Sequence, residues 1–103
     1  MESQAPFESF ADFYPFYLAE HAHPVSRRLH FAGSSVALVL LGTALATQEP
    51  WLILLALVQG YAFAWAGHFF FEHNRPATFK YPLWSFMGDW RMWSDMLRGR
   101  VSF

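Results

Sequence analysis

The sequence predicts an all-α protein of about four helices arranged around a central hairpin of two apolar helices. Of its 103 residues, 54% are hydrophobic and 20% are aromatic. Between Phe31 and Gly67 the one charged residue is Glu49, which is followed directly by Pro50. The histidines flank this stretch on both sides: His21, His23, His30, His68 and His73. A chain of this length supports one hydrophobic core, so we predict a single domain over residues 1–103, with the hairpin at about 31–71.

Aromatic residues at helical spacing predict a first helix over residues 9–21. The aromatic set is Phe10, Phe13, Tyr14 and Tyr17. Pro15 predicts that the helix either begins or kinks at that point. The pair His23-Pro24 marks the end of the helix, because a residue before proline is pushed out of the helical region.

Pro24 suits the first turn of a second helix, which we predict over residues 24–47. The predicted turn is Gln48-Glu49-Pro50, and a third helix follows over about 51–73 until Asn74-Arg75-Pro76 ends it. Both helices are rich in small residues, which let helices approach closely in lipid. The same small-residue faces permit a homo-oligomer.

The hairpin is expected to cross a membrane. Each arm is a little shorter than the roughly 20 residues that span a bilayer, and His30 and His68 would extend the arms into the interface. All seven Lys and Arg residues lie outside the apolar stretch, so the positive-inside rule places both termini in the cytoplasm. The alternative is a soluble bundle that buries the hairpin, for which the remaining residues are too few. The short chain without a retention signal favours a bacterial inner membrane over the endoplasmic reticulum.

A fourth helix is predicted over residues 83–98, after Pro82. It carries Trp84, Trp90 and Trp93 together with Arg91. Helices rich in tryptophan and arginine commonly lie in a membrane interface. A helix packed into the protein core is the alternative, and the sequence leaves both open.

The histidines at the mouth of the hairpin predict a metal site. His68 and Glu72 lie four residues apart and therefore share one face of a helix. The hairpin returns His30 close to His68, and the break at His23-Pro24 frees His21 to fold back beside them. Three imidazoles and a carboxylate suit iron(II), with zinc or manganese as alternatives.

Composition and motifs exclude several other classes. A net charge of −1 gives no basic face for nucleic acid. The absence of cysteine excludes disulfides, thiolate metal sites and iron–sulfur clusters. The serines lack a nucleophile-elbow context, and the sequence contains no phosphate-binding glycine loop or dinucleotide fingerprint.

Two segments on either side of the hairpin form recognisable motifs. The first is Tyr17-Leu18-Ala19-Glu20-His21, followed by Pro24, Arg27, Leu29-His30 and Gly33. The second is Gly67-His68-Phe69-Phe70-Phe71-Glu72, followed by Arg75-Pro76-Ala77. With the hairpin between them, they resemble the small membrane family typified by the yeast 2-hydroxy fatty acid dioxygenase. The resemblance covers most of the chain.

This resemblance implies an iron(II)-dependent dioxygenase of fatty-acid α-oxidation. Such an enzyme uses O2 to convert a 2-hydroxy fatty acid into the acid one carbon shorter. The implied metal ligands are His21, His30 and His68, with Glu72 as a fourth ligand or as the partner of a ligating histidine. Two other classes remain open: a non-enzymatic membrane adaptor whose histidines cap helices, and a zinc-dependent lipid hydrolase.

Further residues are expected to contact the substrate. Arg27, Arg28 or Arg75 could hold the substrate carboxylate, since a guanidinium matches a carboxylate bidentately. Of these we predict Arg75, which lies just past the His68–Glu72 turn; anchoring at lipid headgroups is the alternative. We predict that Tyr17, one turn before His21, donates a hydrogen bond to an oxygen of the reacting group, with simple packing as the alternative. The acyl chain is expected against Phe69, Phe70 and the small-residue faces.

Overall fold

The structure, a computed structural model, describes residues 7–103, and residues 1–6 of the predicted domain lie outside the described residues. It confirms the all-α prediction, with no strand in the described part of the chain. The α-helices are α1 (Phe10–Ala19), α2 (Pro24–Thr47), α3 (Trp51–Gly67) and α4 (Pro82–Leu97). A π-helical turn (His68–Glu72) continues α3, and a 3₁₀ turn (Ala77–Phe79) precedes α4.

Helix α1 is shorter than predicted. Ser9 caps its start by accepting a hydrogen bond from the Asp12 amide on Oγ, at 3.1 Å. Pro15 lies inside the helix, so the helix neither begins nor ends there. It stops at Ala19, which leaves His21 beyond the last turn and able to point away from the helix axis.

Helices α2 and α3 form the predicted hairpin. The His23 ring accepts a hydrogen bond from the Val25 amide at 3.1 Å, and Pro24 follows in the first turn of α2. At the other end Gln48 adopts a left-handed conformation, with φ of 56°, and Pro50 immediately precedes α3. The predicted turn at residues 48–50 is therefore confirmed. The hairpin gives the molecule its long dimension of 48 Å, against 26 and 25 Å in the other directions.

Two helical segments, Pro24–Thr47 and Trp51–Glu72, are long and apolar enough to span a membrane. Their best windows have mean hydropathies of 1.7 and 1.5, and only 17% and 28% of the window residues are buried. A core helix of a soluble protein would bury most of its residues. The hairpin instead leaves large apolar side chains exposed along both arms, among them Val39, Leu45 and Leu54.

The main core lies at the open end of the hairpin, where α1 packs against α4. Its buried residues are Phe13, Tyr14, Tyr17, Ala77, Met92 and Met96. Of the two alternatives for α4, this packing supports the core helix on one face, while Leu83, Phe86 and Leu97 remain exposed. The indole of Trp93 packs toward α2 and donates a hydrogen bond to Ser35 Oγ at 3.0 Å. Helix α4 therefore packs against α1 on one side and against the α2 arm of the hairpin on the other.

Gly88 sets the contact between α1 and α4. A Cβ atom at this position would lie 2.8 Å from the Tyr17 ring, closer than real Cβ contacts allow. The missing side chain therefore admits the ring directly against the α4 backbone. This approach places Asp89, the next residue, beside the Tyr17 hydroxyl.

The third helix does not run as a uniform α-helix to residue 73. After Gly67 it widens into the π-helical turn, and His73 ends that turn in a left-handed conformation with φ of 58°. The widening changes the directions of the side chains in the second motif. The α-helical spacing assumed for His68 and Glu72 therefore describes this segment only approximately.

Candidate metal centre

Three histidines from three separate segments meet at the open end of the hairpin. His21 follows α1, His30 lies in the second turn of α2, and His68 begins the π-helical turn. All three side chains are buried, with exposed fractions of 1%, 4% and 2%. One nitrogen from each ring lies within 4.8 Å of the corresponding nitrogens of the other two. The predicted gathering of these histidines is thus present in the structure.

The Nδ1 atom of each ring already has a hydrogen-bond partner. His21 Nδ1 lies 2.6 Å from the carbonyl oxygen of Tyr17, and His30 Nδ1 lies 2.9 Å from that of Ser26. His68 Nδ1 lies 2.7 Å from Oδ1 of Asn74. Because each partner is an acceptor, we assign the ring proton to Nδ1 in all three histidines.

This assignment leaves the Nε2 lone pair of each ring free to bind a metal ion, in a group whose ligand nitrogens lie within 4.8 Å of one another. The Nε2 atoms of His21 and His30 are only 3.0 Å apart. With both ring protons on Nδ1, no proton lies between these two nitrogens, and their lone pairs repel. A cation bound to the Nε2 atoms removes that repulsion, and ligating histidines normally donate their other N–H in this way. The residues present therefore fit a metal ion.

Burial also keeps the His21 ring neutral. Desolvation, followed by the neighbouring His30 and His68, holds the pKa of His21 well below its ordinary value. A neutral imidazole is the form that binds metals. The His21 ring also stacks on Tyr17, with ring centroids 4.0 Å apart, which fixes its orientation.

A close contact between α2 and α3 brings His30 and His68 together. A Cβ atom on Gly67 would lie 2.8 Å from Ser26 Oγ. Ser26 is fully buried and sits one helical turn before His30, while Gly67 directly precedes His68. The glycine therefore permits the helix approach that sets the separation of the two histidines.

Asn74 connects the metal centre to the first motif. Its Oδ1 accepts from His68, while its Nδ2 donates to the Glu20 carbonyl oxygen at 3.0 Å. The two bonds fix the amide orientation and tie the end of the π-helical turn to the residue before His21. Sequence reasoning treated Asn74 only as part of a helix terminator. A polar amide six residues after a candidate ligand was the available signal.

Tyr17 and Asp89 form a second polar pair beside the histidines. The Tyr17 hydroxyl donates a short hydrogen bond to Asp89 Oδ1. Burial, reinforced by Asp89, raises the pKa of the Tyr17 hydroxyl well above its usual range. Burial also raises the pKa of the Asp89 carboxyl to about 7, although the Tyr17 hydrogen bond lowers it. Sequence analysis gave Asp89 no role, because 72 residues separate it from its partner.

A small chamber adjoins the three histidines and contains further polar groups. Tyr61, Thr78 and Ser85 line it together with the Tyr17–Asp89 pair. Ser85 is 2% exposed, and its hydroxyl has no hydrogen-bond partner among the described residues. A buried hydroxyl without a partner costs free energy, so this group is available to a polar ligand in the chamber.

Residues 7–101 match the family model described as "2-hydroxy-palmitic acid dioxygenase Mpo1-like". The chain belongs to this Mpo1-like family. The match covers all four helices and the three histidines, and it confirms the resemblance found from the two motifs. No curated protein and no solved structure matches the chain.

Glu72 occupies a different place in this Mpo1-like chain from the three histidines. Its carboxylate accepts a hydrogen bond from the His23 amide, with Oε2 and N 2.8 Å apart. The close group of possible ligand atoms, among the described residues, contains His21, His30 and His68 without Glu72. The carboxylate thus ties the π-helical turn to the segment that precedes α2.

The arginines considered for carboxylate binding are also placed apart from the chamber. Arg27 bonds to the His21 carbonyl oxygen through Nε at 2.8 Å and reaches Ser102 through Nη1. Arg75 is exposed, and the residues that line the chamber include its neighbours Pro76 and Ala77 rather than Arg75 itself. Arg28 lies over the Phe103 ring, 5.6 Å from its centroid. Binding of a substrate carboxylate by Arg75 stays a prediction.

Proposed function

We propose that this Mpo1-like protein is a non-haem iron(II) dioxygenase that converts 2-hydroxy fatty acids to acids one carbon shorter. The observation that carries the proposal is the meeting of three buried histidines, each of which has its Nδ1 atom bonded to an acceptor and its Nε2 atom free for a metal. The family description supplies the reaction class and a 2-hydroxy fatty acid as substrate.

His21, His30 and His68 would hold the metal through Nε2. Iron(II) bound there would supply the redox chemistry with O2 that breaks the bond between the first two carbons of the substrate; the reaction balances when the carboxyl carbon leaves as CO2 and water is the other product. Three protein ligands leave coordination positions open, which is typical of catalytic rather than structural metal sites. The Glu72 carboxylate bonds to the main-chain amide of His23, which is not one of the three proposed ligands, so we propose that Glu72 holds the π-helical turn in place rather than ligating the metal or bonding to a ligating histidine.

The other chamber residues would bind and orient the substrate. The Ser85 hydroxyl is free to bond to a carboxylate or hydroxyl oxygen of the substrate. The Tyr17 hydroxyl donates its proton in a hydrogen bond to Asp89. The same proton could be donated to an oxygen of a bound substrate instead, so the pair would help to orient the substrate. The buried surroundings exclude water, which strengthens these polar interactions.

The exposed apolar surface of the hairpin supports insertion into a membrane. The arginines and the lysine of the chain all lie outside the segment 31–67, so both ends would face the cytoplasm, with the metal centre at that face. A bacterial inner membrane and a possible homo-oligomeric assembly remain part of this proposal. An acyl substrate would reach the chamber from the adjoining leaflet.

The test uses full-length protein purified without oxygen in detergent and loaded with iron(II). We would add 2-hydroxypalmitate, admit isotopically labelled O2 and identify the products by mass spectrometry. The proposal predicts pentadecanoic acid carrying the label, formed only when both iron and O2 are present. Product formed without O2 would instead indicate a hydrolase, and a protein that retains no metal would indicate an adaptor. His73→Asn is the matched control, because His73 is exposed and asparagine tolerates its left-handed backbone.

A further inference from the structure

An apolar groove runs along the hairpin from the metal centre toward the Gln48 turn. It is open along one side and is bounded by α2, α3 and the edge of α4 that carries Phe86 and Trp90. Small residues form its floor: Gly33, Ala37, Ala56, Gly60 and Ala64.

The groove is continuous with the histidine chamber. Four residues line both spaces: His30, Tyr61, Ala64 and Asp89. The unpartnered Ser85 hydroxyl and the three histidines lie at the chamber end, whereas Leu41, Ile53 and Leu57 line the groove farther from the chamber. The two spaces together therefore have a polar head and an apolar tail, which is the chemical pattern of a fatty acid.

The length of the groove fits a long alkyl chain. From His30 to Leu41 the α2 axis advances roughly 16 Å, at 1.5 Å per residue. An extended backbone covers about 3.5 Å for every three chain atoms, so about fourteen carbons would fill this distance.

We infer that this groove binds the alkyl chain of the substrate and that Gly60 sets the chain length accepted. The inference rests on the proposed function and deepens it, because it names a long-chain acid with its head in the chamber. It keeps the small-residue faces of the expected acyl path and drops Phe69 and Phe70, both of which are exposed on the π-helical turn and do not line the groove. Gly60 lies near the chamber end, so a side chain there would obstruct the tail after its first few carbons.

Gly60 and Gly42 provide a matched pair of substitutions. A Cβ atom on Gly60 meets its nearest neighbour, the Gly33 carbonyl oxygen, at 4.0 Å, and a Cβ atom on Gly42 meets nothing within that distance. Both glycines are helical, so replacement by leucine also improves helix propensity. Gly60→Leu would fill the groove, whereas Gly42→Leu would add the same side chain on an exposed surface outside it.

The experiment compares wild type, Gly60→Leu and Gly42→Leu, all in detergent and loaded with iron(II). The first readout is kcat/KM for 2-hydroxypalmitate relative to 2-hydroxyoctanoate. The second is photolabelling by a 2-hydroxypalmitate with a diazirine at its tail, with the labelled residues mapped by mass spectrometry. We expect the kcat/KM ratio to fall at least about tenfold in Gly60→Leu alone. We also expect the wild-type label on Leu41 or Ile53 to be lost in Gly60→Leu and kept in Gly42→Leu.

The two readouts separate failure of the groove from failure of the reaction. Labelling at the groove without turnover of either acid would contradict the proposed function and leave the groove as an alkyl-chain site. An unchanged kcat/KM ratio in Gly60→Leu, or labelling elsewhere, would overturn the groove assignment while the reaction stands. A change of oligomeric state in Gly60→Leu without a change in the kcat/KM ratio would overturn it too, and would assign the groove to a second copy of the chain.

Discussion

The Nε2 atoms of His21 and His30 lie 3.0 Å apart, while the Nδ1 atoms of both rings are bonded to main-chain carbonyl oxygens. This arrangement is unfavourable for two neutral rings alone and favourable when a cation is shared between them. His68 completes the group from a third segment of the chain. The position of these nitrogens is therefore the strongest structural argument for a metal centre.

Replacement of any of the three histidines should abolish stoichiometric metal binding. His30→Ala or His68→Ala removes one of three buried ligands, and two remaining imidazoles hold divalent iron weakly. The measurement is the iron content of protein after loading and gel filtration, with His73→Asn as the control. Unchanged metal content in both alanine variants would refute the ligand assignment.

Asn74 should control metal affinity without contacting the metal. Asn74→Leu removes the acceptor for His68 Nδ1 and the bond to the Glu20 carbonyl oxygen. Loss of such a supporting partner typically weakens metal binding by about 10–100-fold. Asn74→Asp keeps an acceptor oxygen and should retain more of the affinity than Asn74→Leu. Equal iron affinity in wild type and Asn74→Leu, measured by competition with a chelator, would show that the amide has no positioning role.

Gly88→Ala should destabilise the contact between α1 and α4. The added methyl group would lie 2.8 Å from the Tyr17 ring, so the ring or the helix has to move. We expect a loss of about 1–3 kcal/mol in the free energy of unfolding. Gly42→Ala, in open space on α2, should be neutral or stabilising by up to about 1 kcal/mol. Thermal unfolding of both variants in detergent tests this, and equal melting temperatures would contradict it.

Asp89 should make stability fall as the pH rises. Its pKa of about 7 in the folded protein lies above the ordinary value of 3.8, so the folded state binds more protons between these two pH values. The free energy of unfolding therefore decreases across this window, by up to about 4 kcal/mol, and levels off above pH 7. Asp89→Asn lacks the titrating group but keeps an oxygen for the Tyr17 hydroxyl.

The melting temperatures of wild type and Asp89→Asn, both free of metal, should be compared from pH 4 to pH 8. Asp89→Asn should gain stability relative to wild type as the pH rises, because the other titrating groups are common to both proteins. A constant difference between the two proteins across this range would show that the carboxyl has an ordinary pKa.

The hairpin and its ends were predictable because their signals are local. Pro24 starts a helix and Gln48-Glu49-Pro50 turns the chain whatever the distant surroundings are. The meeting of His30 and His68 follows from the antiparallel hairpin itself. The approach of His21 to the other two histidines could also be predicted, because the break at His23-Pro24 means that the residues before it need not continue along the axis of α2.

The rest of the site depends on contacts that no local spacing encodes. Asp89 meets Tyr17 across 72 positions of sequence, and the contact requires the bare backbone of Gly88. The π-helical turn has no sequence signal that we identified, and it alters the relation of His68 to Glu72. The Glu72 carboxylate then bonds to the His23 amide, a partner that side-chain patterns do not reveal.

The most direct test of the central claim is X-ray absorption spectroscopy of the iron-loaded protein, prepared without oxygen. For the wild type, the account predicts nitrogen and oxygen atoms bound to the iron and more distant scattering from three imidazole rings. Any His68→Ala protein that still binds iron should show scattering from two imidazole rings. A spectrum of the wild type with one imidazole or none would contradict the claim that His21, His30 and His68 hold the metal together.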